Sequence, residues 1–171
     1  FFFMPWSIVS GLVSLIGGIS SSLFAEGSNQ PEKVNHYMST SLKLGLIYSS
    51  GACFVVSLFS KFILSIFGPE YVKNASTLFV VMLLSIIPGI VIHIFISFFR
   101  IQTRTWYLLG YAFSYFSVGI LASYFGMKAF GQAGIGYGWL ASQVLVVLIG
   151  IILRISLSMK IKAESVLTPS A

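Results

Sequence analysis

Charge is scarce in this chain: 8% of its 171 residues are Asp, Glu, Lys or Arg, against about a quarter in an ordinary soluble domain. The four acidic residues are Glu26, Glu32, Glu70 and Glu164, and each lies in a polar connector or in the tail. No pair of carboxylates therefore stands inside an apolar stretch to do general acid–base work, and none is placed there to carry protons or sodium. An enzyme of that kind is not expected. The only cysteine, Cys53, excludes an intrachain disulfide, and no Cys/His spacing suits a metal, so no metal and no cofactor are expected. The net charge of +6 is carried by basic residues scattered singly at the ends of apolar runs. Such scatter makes no face for nucleic acid.

What is abundant is apolar length. Hydrophobic residues make up 57% of the sequence and the mean hydropathy is +0.95. A bilayer core takes about 20 apolar residues in a helix, and five stretches supply that length, at about 4–25, 42–67, 77–99, 106–126 and 134–154. The sequence thus predicts an all-α membrane protein, with a helical lobe over 1–158 and a basic tail over 159–171 that carries Lys160, Lys162 and Glu164. Membrane lipids are its first expected partners. The chain opens Phe1-Phe2-Phe3-Met4-Pro5-Trp6, without an initiator methionine or a basic leader, which reads as the interior of a longer protein.

Five crossings put the first connector, Glu26 to Lys33, the third, Arg100 to Thr105, and the tail on one side, the side of Lys33, Lys43, Arg100, Arg104, Arg154, Lys160 and Lys162. Only Lys61, Lys73 and Lys128 are left for the other. Because short cytoplasmic loops retain Lys and Arg, the richer side and the C-terminus are assigned to the cytoplasm. Trp6, Tyr71, Trp106, Tyr107, Tyr124, Tyr137 and Trp139 fall near span ends, where aromatic residues anchor at the membrane interface.

Small residues recur every four positions in the first span (Ser10, Ser14, Gly18, Ser22) and in the second (Ser41, Gly45, Ser49, Cys53, Ser57). Such a stripe is either a packing seam, since close backbone approach holds helices together in lipid, or the hydroxyl-lined wall of a polar cavity. Ser49 is the candidate wall residue. Pro88-Gly89 stands in the middle of the third span, and proline removes one helical hydrogen bond and collides with the carbonyl of Leu84, so the helix must bend or open. Pro88, Gly89 and His93, one turn on, are the candidate hinge and cavity residues, because irregular backbone at membrane depth survives only against protein or a wet cavity. Lys61 can snorkel to the interface. Gly131-Gln132-Ala133-Gly134-Ile135-Gly136-Tyr137-Gly138 is no phosphate loop, as no strand precedes it and no lysine follows at the required spacing; it reads as a tight turn into a closely packed last helix. Asn74-Ala75-Ser76 matches a glycosylation sequon but abuts the membrane.

The order of these motifs resembles the C-terminal lobe of the polysaccharide flippases, within the multidrug/oligosaccharidyl-lipid/polysaccharide exporter superfamily. The resemblance runs over nearly the whole chain. It rests on Ser20-Ser21-Ser22-Leu23-Phe24-Ala25-Glu26 closing a span and on Lys61-Phe62-Ile63-Leu64-Ser65-Ile66-Phe67-Gly68-Pro69-Glu70-Tyr71 before the next. Pro88, Phe98-Phe99-Arg100, and Gly134-Ile135-Gly136-Tyr137-Gly138-Trp139 with Gln143 complete it. It implies a MATE-like transporter of two six-helix lobes that moves lipid-linked oligosaccharide across the cytoplasmic membrane by alternating access. The five spans would be the last five of the second lobe, and the missing N-terminal lobe would be the partner across the substrate path. Arg100, Arg104 and Lys43, at the cytoplasmic mouth, would be the cations that meet the substrate's pyrophosphate. A multidrug cation antiporter of the same superfamily is the nearest rival, disfavoured by the lack of acids within the spans. A membrane-embedded enzyme of envelope synthesis would need carboxylates or an extended polar loop at one face, and the sequence has neither.

Overall fold

A computed structural model describes residues 2–167, without the side chains of residue 16 and of 160–167. The protein is an all-α membrane protein. Helix α1 spans Phe3–Asn29, a 3-10 turn covers Pro31–Lys33, and α2 spans Val34–Leu58, α3 Ser60–Ser65, α4 Pro69–Leu84, α5 Ile86–Ile101 and α6 Thr105–Leu167. Among the described residues, four segments are long and apolar enough to cross a membrane: α1, Pro31–Leu58, Pro69–Ile101 and Thr105–Met159.

The last of these doubles back on itself. Gly131 breaks α6 with φ 64 and ψ −144, a conformation that a residue with a Cβ resists. The two arms then close at van der Waals distance: Gly126 and Gly134 lie backbone to backbone, and Gly138 lies against the carbonyl of Ala122. A methyl group on any of these three would collide with backbone, so the glycines are what permits so tight a hairpin. The stretches at 106–126 and 134–154 fall one on each arm.

Three boundaries differ from the sequence expectation. The second stretch, expected at 42–67, is helical from Val34 and is bent at Phe59. Hydrogen bonds run on through the bend, from Phe59 N to Val55 O and from Ile63 N to Phe59 O, and α3 turns to bury Ser60 and Leu64 beside α4. The second connector, expected from Gly68 to Asn74, is already helix from Pro69. Gly68 turns the corner at φ 115 and Pro69 takes the first helical position, where its missing N–H costs nothing. At the other end α6 continues through the first part of the expected tail to Leu167.

The expected third span is two helices, α4 and α5, that meet at Ser85. Pro88 offers no N–H to Leu84, and the backbone adjusts around that gap. Ser85 N donates to both Val81 O and Met82 O, and the Ser85 hydroxyl donates to Met82 O at 2.6 Å. The carbonyl of Leu83 accepts the Cys53 thiol of α2 at 2.9 Å. Helix α5 is buried on all sides, packed against α1, α2 and α6, which explains an apolar run with no polar face. The Ser97 hydroxyl ties it to α1 by donating to Ser20 O at 3.0 Å. By contrast Leu46, Ile47, Tyr48, Phe54, Val55 and Leu58 of α2 point outward, as suits a lipid-facing surface.

Candidate functional site

The two small-residue stripes have different fates. In α2 the side chains of Ser41, Ser49 and Cys53 and the backbone at Gly45 are buried, Ser49 completely (0% exposed). Gly45 sits so close to Ile90 of α5 that a Cβ would come within 2.9 Å of it. Ser49 closes on its own helix, donating to Leu46 O at 3.3 Å. The α2 stripe is thus a packing seam, and Ser49 is not among the residues lining the cavity described next.

In α1 the stripe looks away from that seam. Ser10 is half-buried and Ser14, Gly18 and Ser22 are exposed. Ser10 and Ser14 line a cavity of about 240 Å3 between α1, α5 and α6. Gly89 and His93, expected to face a cavity from the Pro88 bend, line it too, together with Ser85 from the bend itself. Pro88 is not in the lining: it shapes the wall by its place in the chain. The bend thus carries hydroxyl, backbone and imidazole to one place, opposite the serines of α1.

The third wall comes from α6, through Tyr115 on one arm and Trp139 and Gln143 on the other. Trp6 of α1 meets Trp139 edge-on at 5.7 Å between ring centroids, and Tyr115 meets the same ring at 5.8 Å. Trp106 is 85% exposed, whereas Trp6 and Trp139 contribute their rings to the cavity wall. Gln143 is 4% exposed and its amide oxygen has no hydrogen-bond partner. It lies against Gly89, whose missing Cβ would stand 3.3 Å from Oε1. In the sequence Gln143 stands out only as part of the resemblance. Its signal was chemical: one long amide in an otherwise apolar last span.

Each of the cations expected to act together has its own surroundings. Arg100, at the end of α5, lays its guanidinium over the Phe24 ring at 4.5 Å. Arg104 lines a depression with Thr103, Thr105, Trp106 and Tyr107, and Lys43 is exposed on α2. Arg154, which the sequence marked only as a side signal, donates to Asn35 Oδ1 at 3.3 Å and stands 5.7 Å from the Phe98 ring centre. These contacts collect the end of α1, the start of α2, the end of α5 and the second arm of α6 at one end of the bundle. Among the described residues, no group of three His, Cys, Asp or Glu side chains is placed to hold a metal ion.

The sequence model of the MatE family matches residues 1–125. No curated protein and no solved structure matches the chain.

Proposed function

The chain belongs to the MatE family, and from that premise we propose that this membrane transporter of the MATE superfamily is a flippase for lipid-linked oligosaccharide. The observation that carries this reading is the cavity between α1, α5 and α6, polar and aromatic, with the His93 imidazole but, among the described residues, neither carboxylate nor ammonium in its lining. A cation antiporter holds a charged substrate at membrane depth, where an unpaired charge is costly. Glu26, Glu32 and Glu70 are exposed and stand outside that cavity. Neutral hydroxyl-rich cargo suits such a lining better. In this reading the lobe works against a second lobe by alternating access, in the cytoplasmic membrane, with its C-terminus in the cytoplasm.

Arg100, Arg104 and Lys43 then serve capture of the anionic linkage at the mouth. The test is reconstitution of the intact transporter in liposomes with a fluorescent lipid-linked oligosaccharide and, in parallel, a cationic dye. Flipping of the glycolipid without dye efflux is expected. Replacing Arg100 and Arg104 together by Lys keeps the charge but loses the planar two-pronged donor, and should slow flipping while protein level and orientation hold. Dye efflux with no glycolipid movement would overturn the flippase reading.

A further inference from the structure

Gln143 is the one buried side chain at the cavity whose polar atom is left unanswered. A buried acceptor without a donor costs more than a formed hydrogen bond returns, so the group calls for an explanation at this point in the membrane. The amide torsion is broad and roughly two-fold, which lets the oxygen turn from Gly89 toward an occupant of the cavity. Such an occupant has to donate. A neutral occupant suits the lining best: among the described residues no Lys, Arg, Asp or Glu lines the site and His93 is the one basic side chain there, so a full charge would lose its hydration with only that imidazole and the aromatic faces to offset the loss.

Size and shape narrow the class further. At about 240 Å3 the cavity is smaller than the roughly 300–1,000 Å3 of sites for drug-sized ligands, so one small ring fits and a chain of rings does not. Trp6, Trp139 and Tyr115 offer apolar faces with polar edges, and the hydroxyls of Ser10, Ser14 and Ser85 each keep acceptor capacity. A pyranose has the matching pattern: C–H groups on its faces and hydroxyls around its rim.

We propose that the cavity between α1, α5 and α6 is a subsite for a single neutral sugar ring, with the Gln143 amide accepting from a ring hydroxyl and the two tryptophans walling it. For the source of that ring the proposal rests on the flippase reading; the site is argued from the cavity itself. Gly89 is then a positioning residue, because a methyl there would press on the amide oxygen.

The test uses the intact transporter in nanodiscs and saturation-transfer NMR with methyl glycosides of glucose, galactose and mannose in turn. Transfer to at least one glycoside is expected, unaffected by excess tetramethylammonium or inorganic phosphate. Gln143→Leu should weaken it by about tenfold, the effect of one lost hydrogen bond to a buried group. Gly89→Ala, which leaves the amide in the protein but displaces it, should weaken it as well, so the result does not hang on one variant's folding. No transfer from the wild-type protein would mean that the cavity takes water only and would overturn the proposal. So would wild-type binding in both variants, or displacement by tetramethylammonium. Failure of the two ideas is separable: glycoside binding that depends on Gln143 in a protein that flips no glycolipid sinks the flippase reading alone, and glycolipid flipping unchanged by Gln143→Leu, with no glycoside bound, sinks the subsite alone.

Discussion

Single residues here act mainly by what they leave out. Gly131 has φ 64 and ψ −144, and the hairpin arms meet at Gly126, Gly134 and Gly138 with backbone touching backbone. A side chain at Gly131 meets torsional strain of about 1–3 kcal/mol, whereas a side chain at Gly134 meets the Gly126 carbonyl and must push the arms apart. Gly131→Ala is therefore expected to lower the thermal midpoint of the purified protein moderately, and Gly134→Leu to lower it further or to prevent accumulation. Thermal unfolding in detergent, followed by fluorescence, ranks the two; equal stability of Gly134→Leu and wild type would contradict the close seam. The glycine cluster was legible in the sequence as a turn with tight packing behind it. The partner of each glycine was not, since pairing across the hairpin depends on where the arms cross and not on local spacing.

At the scale of the element, the junction of α4 and α5 sets the site. Pro88 denies the Leu84 carbonyl its helical donor, the Ser85 hydroxyl donates to the Met82 carbonyl, and the Cys53 thiol of α2 donates to the Leu83 carbonyl. Pro88→Ala restores the missing N–H and favours one continuous helix. Stability should change little or rise by about 1 kcal/mol, the net worth of one hydrogen bond, while transport by the reconstituted protein falls, because a straightened helix carries Ser85, Gly89 and His93 away from α1 and α6. Wild-type transport rates would leave Pro88 a tolerated kink, and failure to accumulate would make its role structural. The sequence disclosed this bend because proline acts on its own helix, through a carbonyl at a fixed offset. It disclosed much less about the stripes, since Ser10 and Ser49 share one pattern yet end at a cavity and in a seam. Four-residue periodicity says which side chains share a face and nothing about what covers that face. Gln143 and Trp139 were hidden for the same reason: their neighbours come from helices far away in sequence.

For the whole molecule, the decisive quantity is which end faces the cytoplasm. The bundle gathers the Glu26–Lys33 connector, the Arg100–Thr105 connector and Arg154 at one end: Gly27 packs on Ile101, Arg100 covers Phe24, and Arg154 reaches Asn35. Lys33, Arg100, Arg104 and Arg154 share that end, while Lys73 and Lys128 belong with the Gly68 corner and the Gly131 hairpin. Basic residues on short loops resist translocation, so the richer end should stay inside. Lys61 bears little on the outcome, because its long stem lets the ammonium reach an interface from within the span. In a Cys53→Ser background, which also removes the thiol at Leu83, single cysteines placed at 33 and at 73 report the two ends. A membrane-impermeant maleimide added to intact cells should label position 73 and leave position 33 unlabelled until the membrane is broken. Labelling of position 33 from outside, with position 73 protected, would invert the molecule, place Arg100 and Arg104 at the outer mouth, and remove them from capture of a substrate made in the cytoplasm.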